Sequence, residues 1–222
     1  MNINIRNLNK AYGSEQILKN FNIEFSDDNI NCIVGKSGCG KSTLLNIIAG
    51  LIDIQGGEIN GAALSDISYI FQEDRLIEWL NVKENLELTL KKYFDSSILD
   101  AKIDEVLELV GIYDIKNKYP NELSGGMRQR INIARAFGKP SKIILMDEPF
   151  KSLDYKLKYT IIDEFKNLLN KEKRMVILVT HDLDEAIYFQ GNIFVFSNKP
   201  VIIAGRFSSD LENCKEEILK II

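Results

Sequence analysis

Lys41 and Ser42 close the run Gly35-Lys36-Ser37-Gly38-Cys39-Gly40-Lys41-Ser42-Thr43, a G-x-x-x-x-G-K-[ST] spacing between the apolar stretches Ile30–Val34 and Leu44–Ala49. Glycines at 35, 38 and 40 permit positive φ and leave no Cβ between the backbone N–H groups and an oxyanion, so the loop can cradle phosphates. Lys41 would then act as a point charge on β and γ phosphates, and the Ser42 hydroxyl would ligate a magnesium ion bridging them. Far downstream, Asp147 and Glu148 directly follow apolar Ile143–Met146. Two adjacent carboxylates after a buried strand are unfavourable unless a cation compensates them. Magnesium held by Asp147 through water is the natural partner, leaving Glu148 to orient or deprotonate a water attacking the γ phosphate. The single histidine, His181, closes a third apolar run that begins at Met175. From there it would donate a hydrogen bond to the γ phosphate and keep the water and Glu148 in line.

These groups need strands that end together. Ile67-Ser68-Tyr69-Ile70-Phe71 reads as a further apolar strand ending at Gln72, whose amide either reaches a metal or water in the crevice of an α/β sheet or simply faces solvent. Ile3 and Ile5, then Phe21, Ile23 and Phe25, alternate with polar residues and predict antiparallel β structure, with Gly56–Gly61 as a hairpin-like edge. Tyr12, beside Gly13, is expected in a loop, as a ring stacking on a purine base or as an ordinary loop aromatic. From Val82 to about Gly138 the spacing is helical: Val82, Leu86 and Tyr93, then Ile103, Val106, Leu107 and Val110, stopped by Gly111. Within this stretch Ser124 is placed to cap a helix that starts at Gly125-Gly126 and buries Met127, Ile131 and Ala134. Such a terminus is either a second phosphate site or a plainly capped helix. Ser152-Leu153-Asp154 leads into a helix with Leu157, Ile161, Phe165 and Leu168 on one face, and Asp182 with Glu185 gives a capping-box pattern. A hairpin of Ile193–Phe196 with Val201–Ala204 and an amphipathic end with Leu211, Cys214, Ile218 and Ile221 complete the pattern.

The 222 residues, 45% of them apolar, suffice for a sizeable core. Lys and Arg number 28 against 32 Asp and Glu, a net charge of -4, which gives no global basic field for nucleic acid or anionic lipid. Apolar runs are strand-length, far short of a spanning helix, and the N-terminus lacks a signal-peptide core, so a cytosolic protein is expected. Cys32, Cys39 and Cys214 lack metal-ligand spacing and read as ordinary reduced thiols.

Taken together, these residues resemble the nucleotide-binding subunit of an ABC transporter over nearly the whole chain. Tyr12 matches the aromatic that stacks on adenine, Gly35 to Thr43 the Walker A loop, and Gln72 the Q-loop. Leu123-Ser124-Gly125-Gly126-Met127 matches the family signature, Ile143 to Glu148 Walker B, Ser152-Leu153-Asp154 the D-loop, and His181 the switch histidine. The resemblance implies a single ATPase domain over residues 1–222. Residues 1–81 and 139–222 would form a RecA-like P-loop core with an N-terminal antiparallel β subdomain, and 82–138 an inserted α-helical subdomain. ATP and Mg2+ are the implied cofactors, with Gln72 joining Ser42 and Asp147 around the metal and Asp154 joining Ser124, Gly125 and Gly126 on the nucleotide. The implied partners are a second copy in a head-to-tail dimer, transmembrane permease subunits and, indirectly, an extracytoplasmic solute-binding protein. That places the chain on the inner face of the cell membrane. The residues from Gln72 to Trp79, with Val82, Asn85 and Met127–Arg130, are similar to the nitrate, sulfonate and taurine importer type, which usually has proline where this chain has Glu78. A chromosome clamp would insert a coiled coil before the signature, and residues 44–123 hold no sustained heptads; translation-type relatives join two such domains. A lipoprotein-release or cell-division ATPase is the remaining alternative.

Overall fold

The structure, a computed structural model, describes residues 2–26 and 30–222; Met1, the first residue of the alternating N-terminal run, lies outside it. Strands β1 (Ile3–Tyr12), β2 (Glu15–Phe25) and β4 (Gly56–Asn60) pair in the antiparallel order β2-β1-β4. A six-stranded sheet runs β5 (Ile67–Ile70), β6 (Ile143–Asp147), β7 (Met175–Val179), β3 (Ile30–Gly35), β8 (Asn192–Phe196), β9 (Ile203–Phe207), parallel except for β9.

The hydrophobic patterns explain the two sheets. Alternation in β1 and β2 buries one face, whereas the largely apolar runs of β3, interrupted by the buried Asn31, β6 and β7 are buried on both. Cys32, Val34, Ile144, Met146, Val176 and Leu178 enter one core; Ile33, Ile143, Leu145, Ile177 and Val179 enter the other. The second core is closed by α1 (Lys41–Ile48) and the antiparallel sheet. The first is closed by α2 (Val82–Leu90), α3 (Ser96–Leu109), α4 (Gly125–Gly138), α5 (Tyr155–Lys171), α6 (Leu183–Tyr188) and α7 (Lys215–Ile221). Helices α2, α3 and α4 lie between β5 and β6 in the chain, and Phe137 of α4 stacks on Phe165 of α5 with centroids 4.3 Å apart. Each of these buried rings contributes about 2–3 kcal/mol. Among the described residues no helix is long and apolar enough to cross a membrane.

Local chemistry sets the boundaries. An Asn81–Glu84 capping box starts α2, and Gly111 at φ +64° turns the chain after α3, with Ile112 N donating to Leu107 O at 2.9 Å. Four expectations shift. Tyr93 falls beyond α2, in a turn in which its N–H donates to Leu90 O. Leu211 and Cys214 precede α7. β5 stops at Ile70, because the Phe71 carbonyl accepts from Asn132 and its ring lies under the Arg75 guanidinium, 3.7 Å away. The last hairpin strand begins at Ile203, not Val201: Val201 N donates to Ile17 O at 2.8 Å, which diverts that residue from the ladder. The three cysteines are free thiols.

Candidate active site

Strand β3 delivers Gly35 so close to β8 that an added Cβ would lie 2.4 Å from Phe196 O. Gly40, at φ +118°, caps α1, and a Cβ there would meet Ile17 and Val201 at 2.7 and 2.9 Å. The loop is therefore seated between β8, β2 and the Val201 segment. Gly35→Ala is expected to destabilise the fold by about 1–3 kcal/mol, read as a lower denaturant midpoint; an unchanged midpoint would show that β8 yields. Lys36, Ser37 and Gly38 face solvent, Cys39 is buried and Thr43 is half-buried on α1. The Lys41 ammonium is buried inside the loop, donating to Gly35 O at 2.7 Å and Lys36 O at 2.9 Å.

Ser42 Oγ donates to Asp147 Oδ1 at 3.0 Å, so β6 and α1 bring a hydroxyl and a carboxylate together. Burial pushes the Asp147 carboxyl up, the Ser42 hydrogen bond opposes that, and Glu148 adds to the rise. A buried carboxylate paired with a second hard oxygen is a donor set that fits Mg2+. Pairing of Ile70 with Met146 carries the chain out of β5 alongside Asp147, with Gln72 exposed beyond the strand end.

Glu148 adopts φ +46°, a left-handed conformation costing a non-glycine residue about 1–2 kcal/mol. Its N–H donates to Val179 O at 2.8 Å, its Oε1 lies 3.2 Å from His181 Nδ1 and its Oε2 lies 3.2 Å from Lys151 Nζ. Burial acts to raise this carboxyl, but Lys151 and His181 outweigh it and hold the group below its usual range. It is thus ionised at neutral pH, as a proton acceptor must be.

The signature residues stand elsewhere. Ser124 Oγ accepts from Met127 N at 3.3 Å, and Gly125 and Gly126 open α4. A Cβ on Gly126 would lie 3.2 Å from Ser152 O, so the helix start rests on the Ser152–Leu153 turn. Asp154 caps α5 by accepting from Leu157 N at 3.0 Å. Among the described residues no hydrogen bond joins Ser124–Gly126 to Gly35–Thr43. Tyr12 is the last residue of β1 rather than a loop residue, paired with Glu15 and exposed, with Lys10 Nζ 5.2 Å from its ring centroid. The same hairpin carries Ile17 to Gly40.

Several contacts could not be read from the sequence. Gln129 of α4 donates to Pro149 O at 2.8 Å, fixing the turn after Glu148. Lys151 reaches Glu148 by i,i+3 proximity in an irregular turn. Three α4 side chains clasp the Phe71–Glu78 segment around Gln72: Asn132 donates to Phe71 O at 3.0 Å, Arg135 to Arg75 O at 2.8 Å, and Arg128 pairs with Glu78 at 3.1 Å. Buried Asn85 accepts from Ile77 N and donates to Leu80 O, which leaves Trp79 projecting, 78% exposed.

The ABC transporter family model matches residues 18–151. The chain is 39% identical over 225 residues to an aliphatic sulfonates import ATP-binding protein SsuB of Bacillus cereus, covering 96% of this chain and 86% of that protein. It is 36% identical over 227 residues to a putative ATP-binding protein of Brucella abortus biovar 1, covering 99% and 87%. Among solved structures, the dimeric structure of MJ0796, a bacterial ABC transporter cassette, superposes with a TM-score of 0.81 at 32% identity, covering 88% of this chain and 94% of that one. A dimeric post-hydrolysis structure of MJ0796 bound to ADP and Pi gives 0.80 at 31% identity, covering 92% and 100%. On the family match across most of its length and on these relatives, the chain belongs to the ABC transporter ATP-binding family.

Proposed function

We propose that this chain binds and hydrolyses ATP as the nucleotide-binding subunit of an importer, driving a separate membrane permease for a small solute of the aliphatic sulfonate kind. The observation that carries the reading is the Glu148–His181 contact beside the Ser42–Asp147 pair, a base and a metal-donor set at adjacent strand ends. The solute class rests on the printed names of the sulfonate-import relatives.

Adenine stacks on Tyr12, the triphosphate lies along Gly35–Thr43, and Lys41 exchanges its two loop carbonyls for phosphate oxygens. Ser42 and Asp147, with Gln72 at the rim, would hold Mg2+, which when bound neutralises charge on the β and γ phosphates. Glu148 accepts a proton from the attacking water as the oxygen–phosphorus bond forms and the β,γ bridge breaks. His181 donates to a γ-phosphate oxygen and keeps Glu148 in line. Ser124–Gly126 and Asp154 would complete the site from a second copy, since among the described residues no hydrogen bond joins Ser124–Gly126 to Gly35–Thr43 within one chain. The two-fold that places one signature on the partner's nucleotide places the other reciprocally, giving two composite sites. ATP then favours the closed pair and hydrolysis releases it. The segment bearing Trp79 is the surface proposed to meet the permease, which would hold this subunit at the inner face of the membrane. A solute-binding protein outside would complete the system.

Mixing a doubly substituted Ser124→Arg, Glu148→Gln chain with a wild-type chain tests the trans arrangement. The mixed dimer, in which the site carrying Glu148→Gln faces the partner's intact Ser124, is expected to retain one tight ATP, measured by nucleotide content after gel filtration; a mixed dimer that retains none would reject it. Capture of a permease from membranes by the wild-type chain tests import.

A further inference from the structure

Behind the Glu148–His181 pair is a buried cluster that the hydrolytic reading does not use. The Asp182–Glu185 spacing predicts a reciprocal capping box, but only half of it forms. Asp182 Oδ1 accepts from Glu185 N at 3.2 Å, whereas Asp182 N donates to Thr180 Oγ1 at 3.0 Å. The Glu185 side chain instead turns inward, and the residue is 3% exposed. Its Oε1 is buried without a hydrogen-bond partner among the described residues, and its Oε2 is 3.8 Å from Lys158 Nζ. Lys158 has a nearer partner, Asp182 Oδ2 at 2.6 Å. Together with Glu148, Lys151, Thr180 and His181, these three residues line a cleft of about 110 Å³.

We propose, resting on the ATPase reading above, that Glu185 is a positioning residue for the hydrolytic pair: as a neutral carboxylic acid it leaves Lys158 to Asp182, and the Lys158–Asp182 pair fixes the backbone presenting His181 to Glu148. The charge count supports neutrality. One ammonium faces two carboxyls, and the more deeply buried of the two is the one that sheds its charge. The groups facing Glu185 are Lys158 from α5, Asp182 and Thr180 from the His181 segment, Glu148 from the end of β6 and Cys32 from β3. Burial is the main cause that raises the Glu185 carboxyl to about 7; Lys158 and the Thr180 hydroxyl oppose it, while Asp182 and Glu148 add to it. Ionised Glu185 would compete with Asp182 for Lys158 and loosen the segment that carries His181. Lys158 stands one turn into the helix capped by Asp154, so the same pair also ties that turn to His181.

The test is the kcat of MgATP hydrolysis by the full chain from about pH 6.5 to about pH 8.5. Wild type is expected to lose about tenfold as Glu185 ionises. Glu185→Gln, permanently uncharged, is expected to lose that alkaline limb without a change in KM, and Lys158→Met to hold kcat about tenfold below the wild-type value at about pH 6.5 across the whole range with KM unchanged. A Glu185→Gln profile that superposes on wild type, or a Lys158→Met chain with wild-type kcat at the acid end of that range, overturns the proposal. Urea unfolding supplies a readout independent of turnover. A carboxyl raised in the fold contributes fully below its ordinary value of 4.5, and that contribution is lost as pH rises through about 7. The wild-type midpoint should therefore fall relative to Glu185→Gln over that window, and a pH-independent difference overturns the neutral acid. If wild type hydrolyses no ATP, the ATPase reading and the positioning role fall together, and the urea series still decides the protonation state.

Discussion

Glu148→Gln is expected to lower steady-state ATP turnover by about two or more orders of magnitude, leave ATP affinity within about twofold, and accumulate a dimer under saturating MgATP. The amide keeps the shape of the side chain and can still approach His181, so the local fold is preserved. It cannot take a proton. Wild-type Glu148 is held ionised by Lys151 and His181 against the effect of burial, so the substitution removes a charge that two neighbours are arranged to support. Because the proposed phosphate contacts are those of Lys41 and the loop N–H groups, affinity should be spared, and the dimer should not reopen by cleavage. Single-turnover kinetics with gel filtration checks both halves. Turnover within a few-fold of wild type would remove Glu148 from the role of base.

Lys41→Ala is expected to weaken ATP binding itself by about ten- to hundredfold, in keeping with about 1.5–3 kcal/mol for a charge-assisted hydrogen bond. Two effects act together. The phosphates lose an ammonium, and the Gly35 and Lys36 carbonyls lose the donor that shapes the loop. Titration with a fluorescent nucleotide reads the affinity, and circular dichroism checks that the variant is folded. Unchanged affinity would refute contact between Lys41 and phosphate. The contrast with Glu148→Gln is diagnostic: one variant fails before binding, the other after it.

The strand ends were legible because parallel strands buried on both faces read as plain apolar runs, and the chemistry-bearing residues sit at their carboxyl ends. The cap at Ser124 was legible because small polar side chains at helix starts have a dominant use, whereas Asp154, read as part of the lead-in to the next helix, is shown to cap it only by its bond from Leu157 N. What could not be read was the direction taken by a long side chain. The spacing of Asp182 and Glu185 suits a reciprocal cap equally well whether the glutamate reaches back or turns inward, and only the placement of Lys158 on another helix decides. The course of Val201 was hidden for the same reason, since its backbone partner, Ile17, lies far away in sequence. Lys151 belongs to no motif, and Gln129 stands out only within the importer-like stretch Met127–Arg130; the contacts of both come from packing around Glu148 and Pro149. Glu78, a departure from the importer pattern, acquires a reason from Arg128, to which it is paired.

Helix α4 grips the Phe71–Glu78 segment through Asn132, Arg135 and Arg128, while its first turn carries Ser124. Its 14 residues span about 21 Å, and a hydrogen-bonded helix of that length barely compresses. In the proposed assembly, a displacement of the Trp79 surface would reach Ser124 through this one helix, in which Arg128 stands a single turn from Ser124 and donates its backbone N–H to that residue's carbonyl at 3.0 Å, like the two ends of a pushrod.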